Sequence, residues 1–252
     1  MSDDPVRDQN QRAWNAGRYD AWARAEGGAE QAAKEITSDP PRAVRRLLPH
    51  LGDVSGARIC NLQGSKGKIA IGLALLGAKV TVIDFAHENQ RYALETAAWA
   101  NAEIDYVVAD VMDAPAMGLK PFDAVVMELG ILHYHQDLER FFAVCAALTK
   151  LGGLVVVKDF HPVRWMLLAP PSDTPVNYFQ TDLIEVDVPN PTGEDESLGR
   201  CLVRRWTLGD IVTAAIIAGF EIKRLDELPD WDNPNIPGMF TLVARFKPSA
   251  AA

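Results

Sequence analysis

With 252 residues, 48% of them hydrophobic, this chain is long enough for one α/β domain with elaborations. Its formal net charge of −9 argues against broad contact with nucleic acid, and no apolar run approaches the ~20 residues that a membrane span requires. The polar start MSDDPVRDQN is unlike a secretory signal, so a cytoplasmic protein is expected. Cys60, Cys145 and Cys201 are odd in number and widely spaced, which favours reduced thiols over a disulfide framework, and no metal site is expected.

The N-terminal fifty residues are predicted to be helical. Residues 8–25 form one candidate helix that carries Trp14, Tyr19 and Trp22, and residues 40–51 form a second. Gly27 and Gly28 mark a break between them. We therefore expect residues 1–50 to be a helical cap on the domain that follows.

Residues 51–161 alternate between strand and helix. Arg58–Leu62 and residues 79–83 are short β-branched apolar runs, residues 66–76 have helical periodicity, and Gly77 supplies a helix stop. Further predicted strands are residues 104–108, 122–127 and 154–157, and further predicted helices are residues 87–101 and 137–148. Such alternation with short connections is typical of a parallel sheet covered by helices on both faces.

The regular alternation stops at Pro162. Residues 162–205 contain six prolines and alternating segments such as LIEVDV and RCLVRRW, which predicts an inserted β-rich flap. Residues 206–252 then return to the core pattern. Thr207 is a candidate N-cap for a helix over residues 208–218, and residues 220–225 and 240–246 are predicted to form a closing pair of strands.

The loop over residues 61–67 and the acid Asp84 suggest a nucleotide site. Ligands of parallel sheets bind beyond the carboxyl ends of the strands, where backbone N–H groups of the loop can meet a polar or anionic group. Asp84 ends the second strand and is placed to accept hydrogen bonds from two ribose hydroxyls. An ordinary turn, with Asp84 as a helix cap, is the alternative.

Several segments together resemble the class I S-adenosylmethionine-dependent methyltransferases, in particular the small-molecule branch of the methyltransferase 11 and 25 type. The segments are NLQGSKG, VTVID, VVADV, FDAVVMELGILHYHQDLERFF, LGGLVVVKDF and WTLGDIVTAAIIAGFEI. The resemblance covers about residues 10–247. It implies a Rossmann-like fold with a seven-stranded, mostly parallel sheet that ends in an antiparallel hairpin, and it implies S-adenosylmethionine as cofactor.

The resemblance also implies roles for individual residues around that cofactor. The loop would touch the methionine moiety, Asp84 the ribose, Phe85 the adenine face, and residues after the third and fourth strands the adenine edge and the sulfonium. An N-terminal helix with Tyr19 would fold over the cofactor. The implied binding residues are Asn61, Gln63, Gly64, Ser65, Gly67, Asp84, Phe85, Asp110, Val111, Glu128, Leu129, Gly130 and Tyr19.

The loop departs from the family pattern. The family sequence is acid-x-Gly-x-Gly-x-Gly, and the corresponding residues here are Asn61, Gln63, Ser65 and Gly67. Gln63 and Ser65 bring side chains into a place where the family's backbone approaches the ligand. A protein that binds a modified cofactor, or a binding module that has lost turnover, is therefore an alternative to an active enzyme.

Three histidines near predicted strand ends are candidate general bases. His133 and His135 follow the fourth strand and His161 follows the fifth, and an imidazole there could take a proton from an acceptor. A structural role is the alternative for His133, and anchoring of the flap is the alternative for His161. The expected partner is a small-molecule acceptor, such as a specialised metabolite methylated at O, N or C, and a homodimer is possible.

Two other enzyme classes fit the sequence less well. A nicotinamide-dependent oxidoreductase would require Gly-x-Gly-x-x-Gly, which NLQGSKG does not satisfy. An RNA or protein methyltransferase is disfavoured by the acidic charge balance and by the lack of appended basic segments.

Overall fold

A central sheet organises the protein, as seen in a computed structural model that describes residues 4–167, 176–193 and 197–248. In the described part of the chain, seven strands follow the order β3-β2-β1-β4-β5-β9-β8. The first five pair in parallel, and β9 pairs antiparallel with both β5 and β8. The strands are β1 (Arg58–Leu62), β2 (Lys79–Asp84), β3 (Ile104–Val108), β4 (Phe122–Glu128), β5 (Thr149–Phe160), β8 (Phe220–Pro229) and β9 (Pro237–Phe246). The predicted Rossmann-like fold with its closing hairpin is confirmed.

Helices cover both faces of the sheet. They are α1 (Pro5–Trp14), α2 (Arg18–Glu26), α3 (Ala29–Ser38), α4 (Pro40–Ala43), α5 (Leu48–Leu51), α6 (Lys68–Leu75), α7 (His87–Trp99), α8 (Leu138–Leu148), α9 (Arg164–Leu167) and α10 (Leu208–Ile217). Thr207 and Asp210 form a reciprocal capping box at the start of α10, as the Thr207 N-cap signal predicts. Among the described residues, no helix combines the length and apolar character needed to cross a bilayer.

The strands consist mainly of apolar residues because both faces of the sheet are buried. Side chains alternate between the two faces, so that Val155 and Val157 of β5 pack with α8 and α10 while Val156 packs toward α4 and α6. The same alternation turns Lys158 and, on the neighbouring strand, Glu128 toward the N-terminal helices at the carboxyl edge of the sheet. The edge that the sequence marks as the ligand side is therefore lined with polar residues.

The N-terminal helices are shorter and more numerous than predicted. The single helix expected over residues 8–25 is wrong, because Gly17 adopts a φ of 70° and separates α1 from α2. The helix expected over residues 40–51 is likewise two short helices, and α3 was not foreseen. The amphipathic pattern continues through each break, so periodicity alone does not show where the chain turns.

The inserted segment contains the two strands that its alternating pattern indicates. β6 (Leu183–Asp187) and β7 (Arg200–Arg204) form a separate antiparallel sheet. Residues 168–175 and 194–196 of the predicted flap lie outside the described residues. The division of the chain into cap, core, flap and closing segment stays a prediction.

Asn10 joins the helical cap to the flap sheet. Its side-chain amide donates to the Leu202 carbonyl at 2.9 Å and accepts from the Leu202 N–H at 2.7 Å. Asn10 is buried, and these two bonds take the place of a neighbouring strand along the edge of β7. The position of the flap over the core is therefore set partly by one side chain of α1.

We predict that Asn10→Ala lowers the free energy of unfolding by about 2 kcal/mol, because both Leu202 backbone groups lose their partner. Urea unfolding followed by circular dichroism measures the change. Gln9→Ala is the matched control, since the neighbouring Gln9 bonds at an exposed position, to Glu185 and Arg200, and should change stability by less than about 0.5 kcal/mol. Equal effects of the two substitutions would contradict this role of Asn10.

Candidate functional site

A cavity of about 310 Å³ lies at the carboxyl ends of β1, β2 and β4. It brings together most of the residues that the sequence marks for cofactor binding, which are Asn61, Gln63, Gly64, Ser65, Asp84, Phe85, Glu128, Leu129 and Gly130. Gly67 does not line this cavity. It precedes α6 with a φ of 77°, and a Cβ there would lie 2.7 Å from the Ala93 Cβ, so it serves the packing of the helix.

The loop keeps a glycine-like backbone without glycine at two positions. Gln63 and Ser65, which replace family glycines, have φ values of 48° and 47° in the left-handed region. That region costs a non-glycine residue about 1–2 kcal/mol. Gly64 has no room for a side chain, because a Cβ there would lie 2.7 Å from both Asn61 Oδ1 and Val82 Cγ1. The strained turn is retained because the loop is fixed on several sides.

Asp84 fixes this loop from the neighbouring strand. Its carboxylate accepts from the Ser65 N–H at 3.0 Å and from the Ala86 N–H at 2.9 Å. Burial raises the pKa of Asp84, while these backbone bonds and a side-chain bond with Asn89 oppose the rise. An ionised carboxylate has about four acceptor positions, and these three bonds leave about one for a hydroxyl group of a ligand in the cavity. A carboxylate acceptor at this position fits a ribose hydroxyl of a nucleoside.

A smaller cavity of about 130 Å³ adjoins the first and shares Gln63, Phe85 and Tyr134 with it. Asp110 and Val111 line this second cavity. Asp110 accepts from the Met112 N–H at 2.8 Å and pairs with Arg7 Nε of α1 at 2.8 Å. The predicted adenine-edge residues thus sit beside the predicted ribose residues, covered by the N-terminal helix.

Arg18 joins the helical cap to the flap above the larger cavity. Its guanidinium lies over the rings of Trp14 and Trp22, at 4.2 and 4.6 Å from the ring centres, and donates to the Pro189 carbonyl at 2.6 Å. Burial lowers the pKa of Arg18 to about 10. Trp14 and Trp22 line the cavity, and the Trp22 indole donates to Asn89 Oδ1. Sequence reasoning missed Arg18, although its i, i+4 spacing to Trp22 was visible.

Tyr19 lies outside both cavities. Its hydroxyl bonds Glu95, its ring packs on Tyr92, and the Arg91 guanidinium lies over it, all on α7. The expectation that Tyr19 covers a ligand therefore does not match the structure. The reason is the break at Gly17, which turns α2 so that Trp22, and not Tyr19, faces the cavity.

Asp159 at the end of β5 holds the loop after β4. Its carboxylate accepts from the N–H groups of Gly130, Ile131 and Leu132 at 2.6, 3.0 and 2.9 Å. Leu129 and Gly130 have φ values of 57° and 80°, so the chain turns sharply here. The turn brings Leu129 and Gly130 to the cavity wall, where the sequence places them.

His135 is buried, hydrogen-bonded and stacked on a neighbouring ring. Its Nε2 lies 2.9 Å from Gln63 Oε1, and its ring stacks on Phe141 with the centres 3.8 Å apart. Burial, aided by the nearby His133, lowers the pKa of His135 to about 3. The imidazole is therefore neutral at physiological pH and supports the loop through Gln63.

His161 and His133 have different surroundings. His161 Nδ1 accepts from the Val163 N–H at 3.2 Å and its Nε2 lies 2.8 Å from Glu227 Oε1, so one hydrogen bond and one close charged contact hold the ring at the start of the flap. His133 has no hydrogen bond within the described residues. It lies near Gly130 and lines a small cavity of about 20 Å³ with Trp165 and Trp206. Burial lowers the pKa of His133, opposed by Asp159.

Comparison with known proteins agrees with this geometry. The family model described as a methyltransferase domain matches residues 62–157. Ubiquinone biosynthesis O-methyltransferase of Xanthomonas oryzae pv. oryzae is 34% identical over 109 residues, which are 43% of this chain and 45% of that protein. The enzyme of the same name from Xanthomonas campestris pv. campestris is 34% identical over 119 residues, or 47% of each chain. The match thus spans less than half the length of these relatives.

Solved structures share the fold over most of the chain. A putative S-adenosylmethionine-dependent methyltransferase from Listeria monocytogenes has a TM-score of 0.62 at 17% identity, covering 83% of this chain and 99% of that one. Magnesium protoporphyrin IX methyltransferase from Synechocystis PCC 6803, with bound SAH, has a TM-score of 0.60 at 16% identity, covering 93% and 96%. Together with the sheet order, these structures confirm the fold, and the family model shows similarity to a methyltransferase domain over residues 62–157.

We predict that His135 makes the stability depend on pH. Its pKa is about 3 in the folded protein and near 6.5 in the unfolded chain, so the unfolded chain takes up the proton first as the pH falls. The stabilisation is complete above pH 6.5 and declines below it, by about 2 kcal/mol between pH 7 and pH 5. Urea unfolding of the wild type and of His135→Gln at both pH values measures it. A variant with the full pH dependence of the wild type would contradict the assignment.

Proposed function

We propose that this protein transfers a methyl group from S-adenosylmethionine to an oxygen, nitrogen or carbon atom of a small molecule. The observation that carries the proposal is the Asp84 carboxylate, which holds the strained Gln63–Gly64–Ser65 turn and still has an acceptor position at a cavity of about 310 Å³. When bound, S-adenosylmethionine supplies an electrophilic methyl group on a positively charged sulfur.

The two adjoining cavities support the following binding roles. Asp84 would accept hydrogen bonds from the ribose hydroxyls, and the loop from Asn61 to Ser65 would contact the amino acid moiety. Phe85, Asp110 and Val111 would hold the adenine. The residues that follow β4, which are Glu128, Leu129 and Gly130, would line the region of the reacting methyl group. The larger cavity falls in the 300–1,000 Å³ range of small-molecule sites.

The replaced loop glycines do not alter the backbone that this role requires. Gln63 and Ser65 keep left-handed φ values, and the Gln63 side chain bonds His135 beside the cavity. This observation favours a binding-competent loop over a module that has lost its cofactor.

A third cavity supports a small-molecule acceptor. It has a volume of about 570 Å³ and shares Lys66, Lys68 and Glu128 with the cavity of the proposed cofactor. Arg42, Arg45 and Arg46 of the N-terminal segment form its other wall. An acceptor here would reach the methyl group past Glu128. Because the relatives named above are O-methyltransferases by name, phenols and catechols are the first acceptors to test.

Among the three histidines, His133 remains a candidate general base for an acceptor that enters beside Trp165 and Trp206, since it lines the small cavity there and not the cavities of about 310 and 570 Å³. His135 and His161 each use a ring nitrogen in a hydrogen bond that fixes the loop or the flap, whereas His133, close to Gly130, makes no hydrogen bond within the described residues. Its lowered pKa leaves it neutral, and so able to accept a proton, at neutral pH. Collinear positioning of acceptor and methyl group would supply the rest of the rate increase.

We predict that the native protein binds S-adenosylhomocysteine and discriminates against its 2′-deoxy analogue. Loss of one hydrogen bond to the Asp84 carboxylate should cost about 2 kcal/mol, or roughly 30-fold in Kd. Isothermal titration calorimetry with the two ligands measures the ratio without any change in the protein. Equal affinities would remove Asp84 from the ribose site, and no binding of either ligand would overturn the proposed function.

Asp84→Asn tests the same contact from the protein side. The exchange removes one acceptor while keeping the size of the side chain, and the loss of affinity should again be at least about tenfold. Asp113→Asn is the matched control, because Asp113 pairs with Arg7 at an exposed position on the rim. Thermal unfolding of each variant separates a loss of contact from a loss of fold.

With an acceptor that must lose a proton, we predict that His133→Gln lowers kcat by about 100-fold or more. The Kd for S-adenosylhomocysteine should stay unchanged, because His133 lies outside the cofactor cavities. In the wild type, kcat/KM should fall only below about pH 6.5, since burial lowers the pKa. His87→Gln, at an exposed histidine, is the control. Full activity of the His133 variant toward a catechol would indicate purely positional catalysis.

A further inference from the structure

A further cavity, of about 500 Å³, has an excess of positive charge. It lies between the N-terminal segment that ends in α5 and the paired strands β8 and β9, beside β5. Its charged or titratable lining residues are Arg45, Arg46, His50, Lys158, Arg224, Asp226 and Glu227. Four permanent cations thus face two carboxylates.

Both carboxylates of this cavity, Asp226 and Glu227, already have charged or polar partners. Arg224 pairs with Asp226, and Glu227 lies 2.8 Å from His161 Nε2. Arg46 reaches Glu128 at 3.3 Å at the border with the neighbouring cavity. Among the described residues, Arg45 and Lys158 have no carboxylate within ion-pair distance.

Lys158 is the distinctive residue of this cavity. It sits in the interior of the sheet, paired in register with Glu128 of β4 and with Thr241 of β9, and only 4% of its surface is exposed. Its ammonium makes no hydrogen bond within the described part of the chain. Burial lowers the pKa of Lys158 and the nearby Arg46 lowers it further, while the charges of Glu128 and Asp226 oppose the shift. A largely buried cation with no ion-pair partner among the described residues is costly, and an anionic ligand would offset that cost.

The position of Lys158 relates this cavity to the proposed methyl-transfer site. Glu128 lines the cofactor cavity, and Lys158 lies opposite it on the adjacent strand, about 4.8 Å away at the backbone. Arg45 and Arg46 line both the large acceptor cavity and this one. A small molecule could therefore present one end near the methyl group and the other end to Lys158.

We propose that Lys158, Arg45 and Arg46 form an anion subsite that binds a carboxylate or phosphate group of the acceptor. That the bound anion is part of the methyl acceptor rests on the proposed function. Binding of an anion by these residues does not. The ammonium of Lys158 would make a charge-assisted hydrogen bond to the anion, and the arginines would close the subsite from the rim. The subsite selects acceptors that carry a negative charge at the end away from the methylated atom.

Titration of three probes tests the subsite. Benzoate and phenyl phosphate carry the two anionic groups, and benzamide is the neutral counterpart of benzoate. Each is titrated by calorimetry or ligand-observed NMR into the protein with and without saturating S-adenosylhomocysteine. We expect at least one anion to bind tenfold or more tightly than benzamide, and the better of the two identifies the group.

Lys158→Met should abolish that preference, and its Tm should rise because an unpaired buried charge is replaced by an apolar side chain. Arg45→Gln, at the exposed rim, should weaken the preference for the anion over benzamide about threefold. Lys120→Met, at an exposed lysine distant in sequence, is the control and should leave it intact. A preference that survives in Lys158→Met, or its absence in the wild type, would overturn the subsite. Anion preference without S-adenosylhomocysteine binding would overturn the proposed function alone.

Discussion

Carboxylates on neighbouring strands hold the two loops on which the site depends. Asp84 of β2 binds the backbone of the loop after β1, and Asp159 of β5 binds three successive N–H groups after β4. Each carboxylate is buried and acts across the strand spacing, so the loops are fixed relative to the sheet. The cavity that these loops enclose is thereby formed in advance of any ligand, which reduces the ordering cost of binding.

This arrangement explains how the loop tolerates residues that the family pattern does not contain. Gln63 and Ser65 occupy left-handed backbone conformations that favour glycine, but the Asp84 bond to Ser65 and the His135 bond to Gln63 oppose a return to relaxed conformations. The strain of a few kcal/mol is small beside the packing that surrounds the loop. His135 therefore contributes to the shape of the site, and its buried neutral ring suits that role better than proton transfer.

The cover over the cavities depends on polar contacts between segments that are distant in sequence. Arg18 bonds the Pro189 carbonyl between two tryptophan rings, and Asn10 bonds the backbone of Leu202. Both residues are buried and lie on the N-terminal helices, while their partners lie on the flap. Cap and flap are thus joined to one another as well as to the core, so a change in either would alter access to the site.

Periodicity and glycine placement were sufficient for the strands, the parallel sheet and the closing hairpin, because each local pattern agrees with burial on both sheet faces. The acids that end β2 and β3 were recognised for the same reason, since strand ends are local features. The tertiary structure alone decided that Trp22 and not Tyr19 faces the cavity, and that His135 and His161 form hydrogen bonds while His133 forms none with the described residues. It also decided that Lys158 lines a cavity without an ion pair to any described residue. These outcomes depend on which distant side chains meet after folding, and a sequence pattern records spacing along the chain but not those partners.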